Sequence, residues 1–125
     1  MSIELQEGWF DELQLDCGEG GFVPTDISAA NASPEILQQN VESIVDHWTD
    51  IWPNFREGIS TLMESYRQSP PDWTQIRMLY LELPDALISD ESEWSVSVEF
   101  SASVTLWVLP FCGWLDLRNQ AHAIW

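Results

Sequence analysis

Cys17, Cys112, His47 and His122 are the only thiols and imidazoles in this 125-residue chain. Covalent catalysis needs a nucleophile, a base and an orienting group in one place. Cys112 and His122 are the one thiol–imidazole pair that shares a region of the sequence. Cys112 stands between Phe111 and Gly113 in a strand-like run, where a thiol is ordinarily buried and inert. His47, beside Trp48, reads as a surface or edge histidine of a helix. The chain contains no lysine, which excludes a Schiff-base enzyme and a Walker-type phosphate loop. There is no His-Glu-x-x-His, no Cys-x-x-Cys and no EF-hand loop with its glycine. Asp90-Glu91-Ser92-Glu93 offers oxygen ligands to a hard cation, but a solvated acidic loop accounts for it. With 21 acidic residues, suggestive carboxylate pairs arise by chance, and glycoside hydrolysis further requires one acid whose pKa is raised by burial. The expectation is a protein that is not an enzyme, with no catalytic residues, no metal and no cofactor.

The charge is more informative. Those 21 acids face Arg56, Arg67, Arg77 and Arg118 as the only cations, and the formal net charge is -17. Phosphate backbones are bound chiefly through Lys and Arg, and anionic lipid attracts basic segments. Nucleic acid and membrane are therefore excluded as expected partners. A hydrophobic fraction of 45%, with 8 Trp, 5 Phe and 2 Tyr, supplies the apolar surface that a disordered acidic segment lacks. The reading is one acidic domain spanning residues 1–125, with free thiols and a cytoplasmic location. Its amino terminus carries acid where a secretory signal carries positive charge. The longest mostly apolar stretch, residues 104–115, is too short to span a bilayer. Whether Cys17 and Cys112 pair, and the oligomeric state, stay open.

The elements that position these groups follow from periodicity. Trp9, Leu13 and Leu15 share one face of a first strand, Cys17–Gly21 is a turn by composition, and Phe22-Val23 begins a return strand. Ser33-Pro34-Glu35 is an N-cap, an N1 proline and a first-turn acid. From there Leu37, Val41, Ile44, Trp48, Ile51, Trp52, Phe55, Ile59, Leu62 and Tyr66 fall within an arc of about 100°. Glu35, Glu42, Asp46, Asp50, Glu57 and Glu64 fall on the opposite side. Pro53 either kinks this helix or starts a second one in the same phase, and Ser69-Pro70-Pro71 ends the region. Trp94, Val96, Val98 and Phe100 alternate with Ser95, Ser97, Glu99 and Ser101, a strand with one wet face. Residues 76–83 and 104–109 are apolar on both faces and read as more central strands. Residues 111–117 add a further strand after Pro110, and residues 84–93 form an acidic loop carrying Asp85, Asp90, Glu91 and Glu93. The expected fold class is α+β, an antiparallel sheet of four to six strands packed on one face by a long kinked helix or helix pair.

The tryptophans raise a separate possibility. Taking Val104, Leu106 and Val108 as the inward face of their strand leaves Trp107 outward, where Trp73 and Trp114 join it in an aromatic patch for a partner, a sugar or another flat ligand.

In outline, from Trp9 to Trp114, the chain resembles small acidic bacterial immunity proteins and other acidic bacterial domains. The shared outline is a hairpin, a helix ending in an aromatic residue (here Tyr66) and a late Trp-rich sheet. It has no diagnostic motif and transfers no functional residue. The resemblance implies an interaction protein whose acidic surface meets a basic protein, as such inhibitors meet nuclease toxins; a DNA mimic is the same physics with another target. The residues expected to carry it are Glu35, Glu42, Asp46, Asp50, Glu57 and Glu64 on the helix and Asp85, Asp90, Glu91 and Glu93 in the loop. The alternatives are a small-molecule or carbohydrate binding module built on Trp73, Trp107 and Trp114, an acidic domain from a salt-adapted host, and, last, an enzyme using scattered carboxylates.

Overall fold

The long helix begins where its cap residues place it. Ser33 has extended backbone angles and its hydroxyl accepts the Ile36 N–H, Pro34 occupies the first helical position, and Glu35 lies in the first turn. The computed structural model describes residues 13–29, 31–66, 71–101 and 105–124. Of the sequence expectations, those on Trp9, Arg67, Ser69, Pro70 and Val104 lie outside the described residues. Helix α1 runs from Pro34 to Ser65 without a break, so the expectation of a possible second helix at Pro53 gives way to one element. The reason is positional: Pro53 is exposed, so the carbonyl it leaves free can reach water. At the next residue, the Asn54 side chain donates to the Asp50 carbonyl. Nine of the ten residues on the predicted apolar face are buried, while Tyr66 is exposed. Asn40 and Gly58 join the buried side.

The strands are β1 (Gln14–Asp16), β2 (Phe22–Ser28), β3 (Ile76–Glu82), β4 (Glu93–Phe100), β5 (Leu106–Cys112), β6 (Leu115–Asp116) and β7 (His122–Ile124). They form one curled sheet in the order β1-β2-β3-β4-β5-β6, with β7 also pairing β5. This corrects the antiparallel expectation. β2 and β3 run parallel, Asp26 opposite Tyr80 and Ile27 opposite Leu81, because α1 carries the chain back along the sheet before β3 begins; parallel neighbours need such a crossover. The remaining pairings are antiparallel. β3 and β5 occupy interior positions, as their two-sided apolarity implies.

Pro110 lies inside β5, not before a new strand. Its carbonyl accepts the Leu117 N–H, and in a strand the N and C=O of one residue point to the same edge. The missing N–H therefore faces the edge where pairing passes from β7 to β6, and the ladder with β4 loses nothing.

Register sorts the side chains. Ile27, Leu81, Val96 and Leu109 are level across four strands, and Leu79, Val98 and Trp107 are level across three. All of these belong to the same hydrophobic cluster as the buried residues of α1. Gly58 lies so close to β5 that a Cβ there would stand 2.9 Å from Leu109 Cδ2. The alternate residues occupy the other face of the sheet. There Asp26, Tyr80, Ser97, Val108 and His122 form one row across β2, β3, β4, β5 and β7.

Candidate functional site

The helix carboxylates are where their spacing puts them. Glu35, Glu42, Asp46, Asp50, Glu57 and Glu64 are all exposed. From Glu35 to Glu64 the stripe runs for roughly 40 Å at the helical rise, longer than the footprint of a standard interface of about 800 Å² per partner. The loop acids Asp85, Asp90, Glu91 and Glu93 are exposed as well, on a segment tied down by buried polar contacts. Asn40, buried on α1, donates to the Ala86 carbonyl at 3.0 Å and accepts the Ile88 N–H at 2.9 Å. The Gly113 N–H reaches the Ser92 carbonyl at 2.7 Å. The loop therefore borders the first half of α1, near Glu35 and Glu42, and away from Glu57 and Glu64 at the far end.

The aromatic patch is not present as expected. Trp73 and Trp107 are 6% and 4% exposed and belong to the core. Trp73 meets Trp52 and Phe100 edge-on at 5.3 and 5.4 Å. Trp107 faces inward because its partner across the ladder is Val98; the sequence assignment took the other side of an apolar strand as core. Trp114 is half-buried, stacked on His47 with ring centroids 4.0 Å apart. These three rings do not line one surface.

The chemistry of Cys112 and His122 is equally dispersed. His122 pairs with Val108 while Cys112 pairs with Leu115, which separates the two along β5 by about 13 Å. Cys112 Sγ points to the Asp90 carbonyl at 3.5 Å. Both cysteines are free thiols. Cys17 is fully buried, and burial, reinforced by the Asp16 carboxylate, pushes its pKa up to about 12. Among the described residues, no three His, Cys, Asp or Glu side chains come together to hold a metal. No described helix is long and apolar enough to cross a membrane.

The described arginines are already engaged. Arg56 reaches Glu19 at 3.2 Å, Arg77 reaches Glu99 at 3.7 Å, and Arg118 bridges Glu57 at 2.9 Å and Asp116 at 3.3 Å. Of the ten carboxylates expected to carry binding, Glu57 alone has an ion pair among the described residues.

A feature absent from the sequence reading lies on the sheet face that does not join the core. Asp26, Ser28, Tyr80, Glu82, Ser97 and Leu106, with the backbone around them, line a cavity of about 310 Å³. β2 delivers Asp26 and Ser28, β3 delivers Tyr80 and Glu82, and the parallel register sets Asp26 beside Tyr80 and Ser28 beside Glu82. Tyr80 Oη lies 3.5 Å from Glu99 Oε1. Partial burial and the carboxylates of Glu99 and Asp26 push the Tyr80 phenol above its ordinary pKa, against the opposing pull of Arg77. Ser97 is only 6% exposed, and no hydrogen bond of its hydroxyl is found among the described residues. The signal for this face was in the sequence for β4 alone, as Glu93, Ser95, Ser97 and Glu99 at every second position; in β2 and β3 it is confined to Asp26, Ser28, Tyr80 and Glu82 near the strand ends. Nothing local showed that β2 and β3 are neighbours.

No family model, curated protein or solved structure matches this chain.

Proposed function

We propose that this chain is a non-catalytic interaction protein that binds a basic protein through its acidic surface, in the manner of the immunity-type inhibitors it resembles in outline. The observation that carries this reading is the uncompensated surface. All ten singled-out carboxylates are exposed, and of the three described arginines only Arg118 pairs with one of them, Glu57. A field of one sign steers an oppositely charged partner, raising association rates toward about 10⁸–10⁹ M⁻¹s⁻¹ at low salt. The reading takes α1 as the layer over one face of the sheet, with its carboxylate side outward. Two free thiols fit a reducing compartment such as the cytoplasm. The carbohydrate-binding alternative loses its basis, since Trp73 and Trp107 are in the core.

The test is affinity capture from a source lysate at low salt, followed by elution with increasing salt and purification of what elutes. A basic protein that rebinds the purified chain with a steep salt dependence is the expected result. Recovery of no cationic protein leaves host adaptation as the account of the charge.

A further inference from the structure

We infer that the cavity on the open face of the sheet is a receptor for a single arginine side chain, donated by the basic partner. The inference rests on the proposed function for the source of that arginine, and it places the contact on the sheet face, not on the helix stripe. The cavity, at about 310 Å³, sits at the small end of the range for ligand sites, roughly 300–1,000 Å³. That is room for one side chain and not for a folded segment. Most of its wall is apolar, which suits the aliphatic stem of a long side chain. Among the lining residues Asp26 and Glu82 carry carboxylates, Ser28 and Ser97 hydroxyls, and Tyr80 a phenol. Glu99 adds a third carboxylate beside Tyr80. Beside this group, Arg77 is mostly exposed and held at 3.7 Å by Glu99.

A guanidinium meets these groups better than an ammonium does. Its planar fork of five donors can serve a carboxylate and a neighbouring hydroxyl at once, and its face stacks on an aromatic ring. Asp26 and Ser97 flank Tyr80 on either side in one row of the sheet, which provides a carboxylate, a ring and a hydroxyl in line. The Ser97 hydroxyl, on a residue only 6% exposed, has no hydrogen bond among the described residues and stays open to solvent through the space that the residue lines. A donor entering the cavity takes the place of solvent at this oxygen. Arginine is also among the residues that most often dominate binding energy when one side chain enters a pocket.

The full chain, labelled with ¹⁵N, is titrated with Nα-acetyl-arginine amide and followed by amide chemical shifts. Blocked lysine and blocked citrulline, the uncharged isostere, serve as comparisons. The expected result is saturable shifts centred on Asp26, Tyr80 and Ser97, with a dissociation constant of about 1 mM for so small a probe. Binding should be weaker for lysine and absent for citrulline. Asp26→Asn should weaken binding about tenfold, and Glu19→Gln, at an exposed position between β1 and β2, should leave it unchanged. Glu82→Gln, at an exposed position, repeats the test should Asp26→Asn fail to fold. Shifts spread along α1 with the pocket amides unmoved overturn the inference, as does equal binding of citrulline. A captured basic protein whose affinity survives Asp26→Asn and Glu82→Gln, and falls in stripe variants, overturns the pocket while keeping the proposed function. Pocket binding of the blocked arginine with no basic protein captured supports the site and overturns its assignment to a protein partner.

Discussion

Asn40 and Ile88 are joined by a hydrogen bond of 2.9 Å from the loop backbone to a buried helix side chain. The same amide donates to the Ala86 carbonyl, so both ends of Asn40 hold the acidic loop. Asn40→Ala removes two partners at once and leaves loop backbone groups unpaired, which should cost about 2–4 kcal/mol. Asn40→Asp keeps the acceptor and loses the donor, placing a carboxylate against a carbonyl, and should be no better tolerated. Urea unfolding of the two variants measures this, and amide exchange at Ile88 should accelerate in both.

Gly58 sets how closely α1 approaches β5. An alanine there gains up to about 1 kcal/mol in helix propensity. Its Cβ would stand 2.9 Å from Leu109 Cδ2, in a core with no room for Leu109 to retreat, since that residue is fully buried. Overpacking of this kind costs about 1–3 kcal/mol. Gly58→Ala should therefore be destabilising on balance. Gly58→Ala combined with Leu109→Val should recover part of the loss in the same unfolding assay.

A net charge of -17 on 125 residues opposes compaction, and counterions relieve it. Raising sodium chloride from a low concentration to about 0.5 M, where screening acts within a few ångströms, should lift the thermal midpoint by about 3–6 °C. A flat response would show that the fold bears its charge without strain.

The two thiols should separate by reactivity. Cys112 is half-buried, whereas Cys17 is enclosed and pushed up to about 12 from an ordinary value of 9.0. The folded protein holds the Cys17 proton more tightly than the unfolded chain does. Its contribution is therefore fully present below about pH 9 and is lost as pH rises from 9 towards 12. A disulfide reagent at mildly alkaline pH should label Cys112 alone until denaturant is added. Cys17→Ala should show a shallower loss of stability over that alkaline window than the parent.

What the sequence disclosed is what local chemistry encodes. The start of α1, its inward face and its carboxylate stripe follow from a cap, a proline and a period, and all were legible. The alternation in β4 was legible too, because serine and glutamate mark its wet side. β5 is apolar on both faces, so alternation carried no sign there and Trp107 was placed outward; only its pairing with Val98 decides the matter. Asn40 was passed over because one polar residue among apolar ones does not announce that a distant loop will need it. The cavity was invisible for a stronger reason. Asp26 and Tyr80 lie on either side of the α1 crossover, and only the parallel register makes them neighbours.

That crossover has a consequence for the order of folding. The helix and the β3–β4–β5 meander are built from contacts close in sequence, whereas β2 can join β3 only after a long loop has closed, and such closures are slow. During synthesis, Asp26 leaves the ribosome well before Tyr80 exists to stand beside it. A nascent chain ending within α1 already carries much of the acidic stripe yet has no receptor face at all. If arginine recognition belongs to the open sheet, as inferred, it is acquired in one step when the parallel pair forms.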